Sequence, residues 1–371
     1  MPLTSAPWGP ARKLALSAAL FAGVLASCEL ALRAARFEHP RGVDRRIVWS
    51  EERDVALRAG DGLYRFDPVC LWSPRPGAEI PWTDGARVNP DGFRGPQLEL
   101  NRRPGVLRIA TMGGAAVLGV GVRWEDTFSA RLALQLAERG VPAEVLCAGA
   151  EDHSVVQGLE RWRHSVRHWR PHLVICTYSG SRDLTQAPQG RSDQRRIAEL
   201  RGIPRQTGAH GLRDSLRLLH VASWLRDVAS GVYWQERDLA FVERRLAPGV
   251  RALDWPGERR VHYDDFVAAL GELFEEIRAD GCVSLLLTVP RAPYAPGNPV
   301  AEVYQRGAIE VAERAGALVL DGRNAFVRSV AEEDIPATDL FLGETTPSDC
   351  GHAALAAGLV EEILARLGSR R

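Results

Sequence analysis

The chain has 371 residues, of which 45% are hydrophobic and 25% are charged, a composition typical of a globular protein with a large core. Its 47 basic residues balance 47 acidic residues, so no net charge attracts the protein to nucleic acid, which we exclude as a partner. The length fits one large α/β domain with an amino-terminal anchor and an extension.

Residues 1–35 predict an export signal or a membrane anchor. A basic pair at 12–13 precedes an uncharged run, 14–28, that is rich in Ala and Leu. Leu25-Ala-Ser-Cys28 resembles a bacterial lipobox, which would make Cys28 a lipidated residue. A membrane helix is the competing interpretation, because spanning needs about 20 apolar residues and the run reaches that length by continuing through Glu29. Either anchor predicts a membrane-anchored protein that faces the periplasm or the cell exterior.

The remaining cysteines predict neither a disulfide framework nor a metal site. If Cys28 is lipidated, an odd number is left, and an odd number cannot all pair. Three of them lie in or beside predicted core strands, where cysteine is usually a small apolar side chain, and the spacings match no metal motif. We predict no metal and no cofactor. The remaining cysteines are Cys70, Cys147, Cys176, Cys282 and Cys350.

Residues 36–104 are rich in Pro, Gly, Arg and Trp and show no sustained helical period. They predict an extension that wraps around the domain. Asn89-Pro-Asp-Gly92 is typical of a turn, because proline fixes φ and glycine permits positive φ.

Residues 105–371 alternate strand and helix patterns, which predicts a parallel sheet with helices on both faces. The order of the strands favours a flavodoxin-like, doubly wound, five-stranded sheet. The predicted strands are 106–112, 143–147, 173–178, 283–289 and 317–320. The predicted helices are 128–139, 155–169, 263–280, 300–315 and 351–367.

Residues 185–260 interrupt this alternation and predict an insertion with a helix at 212–228. Its Trp224, Tyr233 and Trp234 could line a cap over the sheet's crevice. Aromatic residues spaced along a helix more often pack on a core, and both interpretations stay open.

The segment 107–119 is an apolar strand that runs into Gly113-Gly114-Ala115. A strand that ends at paired glycines places backbone amides and one exposed side chain at a crevice. The segment resembles the first motif of the SGNH (GDSL-type) hydrolases, in which a serine follows Gly-Asp or Gly-Gly and attacks an acyl carbon. Ala115 stands at that serine position.

Three further segments are similar to the later motifs of that family. The Asn-x-Gly motif is present as Cys147-Ala-Gly149, with cysteine in place of asparagine. Arg182, within Gly180-Ser-Arg-Asp183, stands where the family has its oxyanion asparagine. The last motif, Asp-x-x-His-Pro, is present as Gly343-Glu-Thr-Thr346-Pro347, followed by Gly351-His352.

The resemblance implies an SGNH-hydrolase fold whose active site is degenerate. Such an enzyme needs a serine nucleophile, amide donors for the oxyanion, and a histidine base oriented by an aspartate. In this chain Ala115, Arg182, Gly343 and Thr346 occupy four of those positions, so a working serine esterase is not expected. The resemblance implies a ligand pocket built from Gly113, Gly114, Ala115, Gly149, Arg182 and Thr346.

Displaced groups could still support catalysis. Asp349 and His352 have the Asp-x-x-His spacing, although a helix-start histidine that packs on a loop is the competing interpretation. Ser179 or Ser181 could supply a hydroxyl, and His153 is interpreted as a solvated loop histidine rather than a relocated base. The enzyme status therefore stays uncertain.

Arg182 suggests what the crevice could hold. A guanidinium offers paired hydrogen bonds to carboxylate, sulfate or phosphate. Alternatively, Arg182 pairs with Asp183, Asp152 or Glu151 and closes the crevice, as in a purely structural protein. Many SGNH relatives act on acyl esters of envelope polysaccharides or lipids, which implies a glycan or an acylated glycan as ligand. We therefore expect an inactive, membrane-anchored envelope protein that binds such a ligand or scaffolds a protein partner; the alternative is an active esterase or acyltransferase.

Overall fold

The computed structural model of the protein describes residues 9–37, 39, 51, 62–185, 187, 190–202, 216–229, 259–295 and 297–368. The chain divides into two compact units. One unit contains the amino-terminal helix α1 (Pro10–Ala34) and helix α6 (Arg217–Ala229). The other unit contains the remaining described helices and strands.

The larger unit is built on a five-stranded parallel sheet. Its strands follow the order β4-β3-β5-β6-β7, and every neighbouring pair is parallel. Because β3 lies between β4 and β5, the chain leaves β3 in one direction and returns to its other side, which creates a crevice at their carboxyl ends. The predicted doubly wound sheet is confirmed, and each strand begins within one residue of its predicted start. The strands are β3 Leu107–Gly113, β4 Ala143–Gly149, β5 Leu173–Cys176, β6 Val283–Thr288 and β7 Leu318–Asp321.

Helices cover both faces of this sheet. One group consists of α3 (Phe128–Glu138), α9 (Gly322–Glu332) and α10 (Asp349–Gly368). Their apolar side chains form a continuous core with alternate strand residues such as Ile109 and Leu285. The second group, on the opposite face, consists of α4 (Val155–His164), α7 (Tyr263–Ala279) and α8 (Pro299–Arg314).

Local sequence signals explain where several of these helices begin. The Thr127 side chain accepts a hydrogen bond from the Ala130 amide and caps α3. Ser154 and Gln157 form a reciprocal capping box at α4. At α8, the Asn298 side chain caps the helix and the first helical residue is a proline, whose missing amide proton costs nothing at that position.

Helix α4 is shorter than the predicted helix at 155–169. It ends at His164, because Ser165 leaves the helical region with φ −138° and ψ −69°. A single turn of 3-10 helix, Val166–Trp169, follows. The Trp169 carbonyl at the end of this turn accepts a hydrogen bond from the buried Arg108 guanidinium at 2.9 Å, which satisfies one of the carbonyls left free where a helix ends.

Besides the one-turn helix Ala115–Leu118, two described helices were not predicted. Helix α9 follows β7 directly, and its cap is the Asp321 side chain, which accepts from the Arg323 amide. Helix α5 (Asp193–Gly202) lies in the insertion and has a predominantly polar sequence. The predicted insertion helix at 212–228 is described from Arg217 to Ala229, while its first residues lie outside the described part.

The described part of the extension, 62–104, belongs to the larger unit and packs against its sheet domain. A two-stranded antiparallel hairpin, β1 (Tyr64–Asp67) with β2 (Leu71–Pro74), begins it. Further along, the buried Arg94 guanidinium donates to the Gly119 carbonyl at 2.5 Å and to the Val122 carbonyl at 2.6 Å. The extension therefore fixes the turn that follows the first motif.

Helix α1 is the one described helix long and apolar enough to cross a membrane, with a mean hydropathy of 1.9 over its best window. None of its side chains is buried, and Cys28 is exposed within it. A signal sequence near the amino terminus would have the same properties, so both anchor types predicted from the sequence remain open.

Candidate functional site

A small crevice lies at the carboxyl ends of β3 and β5, the position expected for a ligand site in a doubly wound sheet. The space open to water-sized molecules is about 60 Å³. That is room for a few waters or one small polar group. Its lining consists of Gly114, Ala115, Ala116, His153, Thr177, Tyr178, Ser179, Gly180, Ser181, Arg182, Asp183, Val289, Arg291, Ala301, Gln305 and Thr345.

The first motif forms a tight strand-to-helix turn. Gly113 ends β3 at φ +156°, and a Cβ atom there would lie 1.9 Å from the Thr177 hydroxyl oxygen. Ala115 is the first residue of the one-turn helix α2 (Ala115–Leu118) and lines the crevice. A serine at this position would place its hydroxyl at the crevice, whereas the alanine presents only a methyl group.

The second motif packs α2 against the sheet. A Cβ atom on Gly149 would lie 2.3 Å from the Leu118 backbone nitrogen, so only glycine fits. Cys147, which replaces the family's asparagine, is fully buried, and its thiol donates to the Val117 carbonyl at 3.1 Å. Burial raises the pKa of this thiol. Cys147 is therefore a protonated packing group that offers no amide to the crevice.

The third motif places a cation beside the alanine. The Arg182 Nε atom lies 3.1 Å from the Asp152 Oδ1 atom, and the Arg182 side chain is 38% exposed. Asp152 itself adopts a left-handed backbone conformation with φ +59°. Of the three ion-pair partners considered from the sequence, Asp152 is the one found, and this pair leaves the crevice open rather than filled.

Asp183, the next residue, is buried in the wall of the crevice. Its carboxylate accepts a hydrogen bond from the Val155 amide at 2.8 Å, at the start of α4. Burial raises the Asp183 pKa to about 7, although this hydrogen bond and the Arg260 charge oppose the shift. Near neutral pH the wall therefore carries only a fraction of a negative charge at this position.

The fourth motif lies on a short antiparallel hairpin, β8 (Phe341–Gly343) with β9 (Thr346–Pro347). Gly343 and Thr346 face each other across it, and a Cβ atom on Gly343 would lie 3.8 Å from the Thr346 hydroxyl. The geometry could therefore hold an aspartate beside a histidine, but this chain has neither. The neighbouring Thr345 contributes to the lining of the crevice.

His352 does not have the environment of a general base. Its ring is fully buried, its Nδ1 accepts from the Phe128 amide at 3.2 Å, and its Nε2 atom has no hydrogen-bond partner within the described part of the chain. Burial lowers its pKa to about 3, with smaller contributions from nearby arginines. Asp349 is exposed, and its carboxylate accepts from the Cys350 amide instead. The alternative dyad thus presents no nitrogen to the crevice.

His153 differs from the solvated loop residue that we expected. It is 2% exposed, and its Nε2 atom lies 2.9 Å from the Trp72 carbonyl oxygen. The Trp72 indole also contacts the imidazole edge to face, with ring centroids 5.4 Å apart. Burial lowers the His153 pKa to about 3. A base must be poised near the working pH, so His153 is unsuited to that role although it lines the crevice.

Several lining residues were missed by sequence reasoning. Gln305 lies on α8 and Thr345 lies in the β8–β9 turn. Arg291 follows β6, and its guanidinium lies 3.3 Å from the Glu344 carboxylate. A charged residue just beyond the carboxyl end of a predicted strand was the available signal for Arg291.

Comparison with known proteins gives structural matches only. No family model matches the chain, and no curated protein matches it. An acetyl xylan esterase, AlAXEase, is 12% identical and covers 69% of this chain and 100% of its own, with a TM-score of 0.43. Axe2, an acetylxylan esterase from Geobacillus stearothermophilus, is 17% identical over 69% of this chain and 94% of its own, also at 0.43.

A lipolytic protein of the G-D-S-L family from Desulfitobacterium hafniense DCB-2 is 12% identical over 68% of this chain and 98% of its own, with a TM-score of 0.41. Esterases are thus what this chain is similar to in fold.

Proposed function

We propose that this protein is a catalytically inactive, SGNH-hydrolase-like protein of the cell envelope that binds a ligand carrying an anionic group. A membrane anchor at its amino terminus holds it there. A glycan or an acylated glycan with such a group is the favoured ligand. The observation that carries the proposal is that one crevice is lined both by Ala115, which has no nucleophilic hydroxyl, and by the cation Arg182.

The lack of catalysis follows from what the crevice contains. Acyl transfer needs a nucleophile and a base of suitable pKa in contact. Ala115 has no hydroxyl, and the imidazoles of His153 and His352 are buried and held neutral. Ser179 and Ser181 supply hydroxyls to the lining, but His153, the histidine among the described lining residues, has a pKa of about 3 and is therefore a weak base.

Anion binding is supported by the charges of the lining. The Arg182 side chain is 38% exposed, and besides the Nε atom that lies 3.1 Å from the Asp152 carboxylate its guanidinium carries further N–H donors suited to an anion. Arg291 and the hydroxyls of Ser179 and Ser181 add donors. The raised pKa of Asp183 lessens the repulsion that an anion would meet.

The proposal predicts that the native full-length chain in detergent hydrolyses p-nitrophenyl acetate and butyrate at the background rate. Loss of a complete triad removes about 10⁶-fold in turnover in a serine protease. The matched control is the revertant Ala115→Ser, Arg182→Asn, Gly343→Asp, Thr346→His; a Cβ atom at position 343 would make only ordinary van der Waals contacts. Native turnover that His352→Ala abolishes would contradict the proposal and support the displaced-residue esterase.

Ligand binding is tested by calorimetry with glucuronate and with glucose as the neutral counterpart. We expect glucuronate to bind and Arg182→Ala to weaken it about tenfold, the size of a lost charged hydrogen bond. Arg139→Ala, an exposed arginine at the end of α3, is the control and should bind as the native chain does. Equal affinity for glucose and glucuronate would refute the anionic ligand.

A further inference from the structure

Helix α6 buries polar side chains and exposes apolar ones, whereas a helix on the surface of a water-soluble protein does the reverse. Its buried positions include the polar residues His220 and Ser223, each 6% exposed. The outward positions Ala222, Leu225 and Ala229 recur at spacings of three and four and therefore share one face. Leu225 on that face is 54% exposed. A helix that buries its polar side and presents its apolar side is suited to an apolar surrounding.

The Glu29 carboxylate of α1 attaches α6 to that helix. Glu29 accepts from the Arg217 amide through Oε1 and from the Leu218 amide through Oε2, both at 2.9 Å. These amides belong to the first turn of α6 and have no acceptor inside it. Glu29 also pairs with Arg33 at 2.8 Å on its own helix. The end of α1 and the start of α6 are therefore held together.

One aromatic contact and one hydrogen bond from the backbone strengthen this junction just after α1. The rings of Phe37 and Trp224 meet edge to face with centroids 6.4 Å apart. The His39 amide donates to the His220 Nδ1 atom at 3.0 Å, which satisfies that polar atom on the buried side of α6.

Both possible anchors place Glu29 at the boundary of the lipid. In a membrane helix, a span of about 20 residues that begins at Leu14 ends at Arg33, one helical turn beyond Glu29, so Glu29 lies close to the lipid surface. In a lipoprotein, the acylated residue would be Cys28, the immediate neighbour of Glu29. The first turn of α6 is thus fixed at the membrane surface by either anchor.

We propose that α6 lies on the membrane surface and inserts its Ala222, Leu225 and Ala229 face into the phospholipid bilayer. Arg226, exposed beside this face, reaches the phosphate headgroups while its stem lies along apolar surface. The helix is then a second membrane contact. This inference rests on the membrane anchoring contained in the proposed function.

The test is lipid photocrosslinking with the full-length chain in phosphatidylethanolamine and phosphatidylglycerol vesicles. Benzoylphenylalanine at position 225 should form lipid adducts detectable by mass spectrometry. The matched control is the same probe at Leu134, a leucine that is 61% exposed on α3 of the other unit and should form none. Adducts missing at 225, or equal at both positions, would overturn the inference.

A second measurement separates this inference from its premise. Retention of the chain in carbonate-washed membranes reports on the anchor alone, and release would refute the anchoring in the proposed function. With the chain retained, Glu29→Ala should lower adduct formation at 225 about fivefold, the effect of losing a helix cap. An unchanged yield in Glu29→Ala would contradict the attachment of α6 through Glu29.

Discussion

His352 lies on the first turn of α10, where its imidazole stacks on the Phe128 ring with centroids 5.8 Å apart. The ring accepts the Phe128 amide, so it stabilises the start of α3 as a neutral acceptor. Its role is therefore to join two helices of the same face of the sheet.

We predict that His352 makes the protein less stable in acid. Its pKa is about 3 in the folded state, against 6.5 for an unperturbed histidine. Between those values the unfolded chain binds a proton that the folded chain does not, so stability is lost as the pH falls from 6.5 towards 3. One such group contributes at most about 1.4 kcal/mol per pH unit.

The variant His352→Asn checks this prediction, because the asparagine carbonyl can accept the Phe128 amide without titrating. Urea unfolding of the full chain in detergent between pH 4 and 7 should give a shallower dependence of the free energy of unfolding on pH than the native chain gives. His153, with a pKa also near 3, remains in the variant and keeps part of the slope. An identical slope in both proteins would contradict the assignment.

The chemistry of single positions was only partly predictable from the sequence. Ala115 and Arg182 were predicted to lie together, and both line the crevice, because a strand and the turn after it fix where the chain leaves the sheet. The burial of His153 was not predictable, because it depends on the extension folding back to place Trp72 over the ring. Contacts between segments about 80 residues apart leave no local pattern.

Strands and helices were more predictable than side-chain environments. Buried parallel strands are near-continuous apolar runs, which are easy to recognise in a sequence. Strands β3 to β7 all begin near their predicted starts. Helix α9 was missed because it follows β7 without a loop, so its amino-terminal cap Asp321 is also the last strand residue. The end of α4 was misplaced because Ser165 breaks the helix without proline or glycine.

The insertion illustrates how a helix can be predicted while its surroundings are not. A helix was predicted at 212–228, and α6 confirms it from Arg217 onward, whereas the described Leu216 precedes the helix. Its partner is α1, identified by the Glu29 contacts and not by any periodicity. Of the aromatic residues considered for a cap, Trp224 packs near Phe37, while Tyr233 and Trp234 lie outside the described residues.

The buried side chain of Arg260 links several segments of the larger unit to one another. Its guanidinium bonds the Asp193 carboxylate at 2.7 Å on α5 and the Gln157 side chain at 2.6 Å on α4. It also donates to the Asp152 carbonyl at 2.7 Å and lies 5.4 Å from the centre of the Trp72 ring. Extension, insertion and sheet domain therefore meet at one cation, beside the wall of the crevice.

Removing that cation should destabilise the larger unit strongly, because the buried Asp193 carboxylate would lose the Arg260 charge and keep Arg196 as its cationic partner. Arg260 and Arg196 hold the Asp193 pKa below its usual value against the opposing effect of burial. We expect Arg260→Leu to lower the free energy of unfolding by about 3–5 kcal/mol, measured by urea unfolding of the full chain in detergent with tryptophan fluorescence.

The double variant Arg260→Leu, Asp193→Asn separates the ion pair from simple packing. The asparagine carries no charge that would be left buried without a partner. The double variant should therefore lose less free energy of unfolding than the sum of the losses in the two single variants, by about 0.5–3 kcal/mol. Arg278→Leu, an exposed arginine on α7, should change the free energy of unfolding by less than about 0.5 kcal/mol. Strict additivity of Arg260→Leu and Asp193→Asn would mean that the larger unit does not depend on this pair, and that packing against Trp72 holds the extension in place.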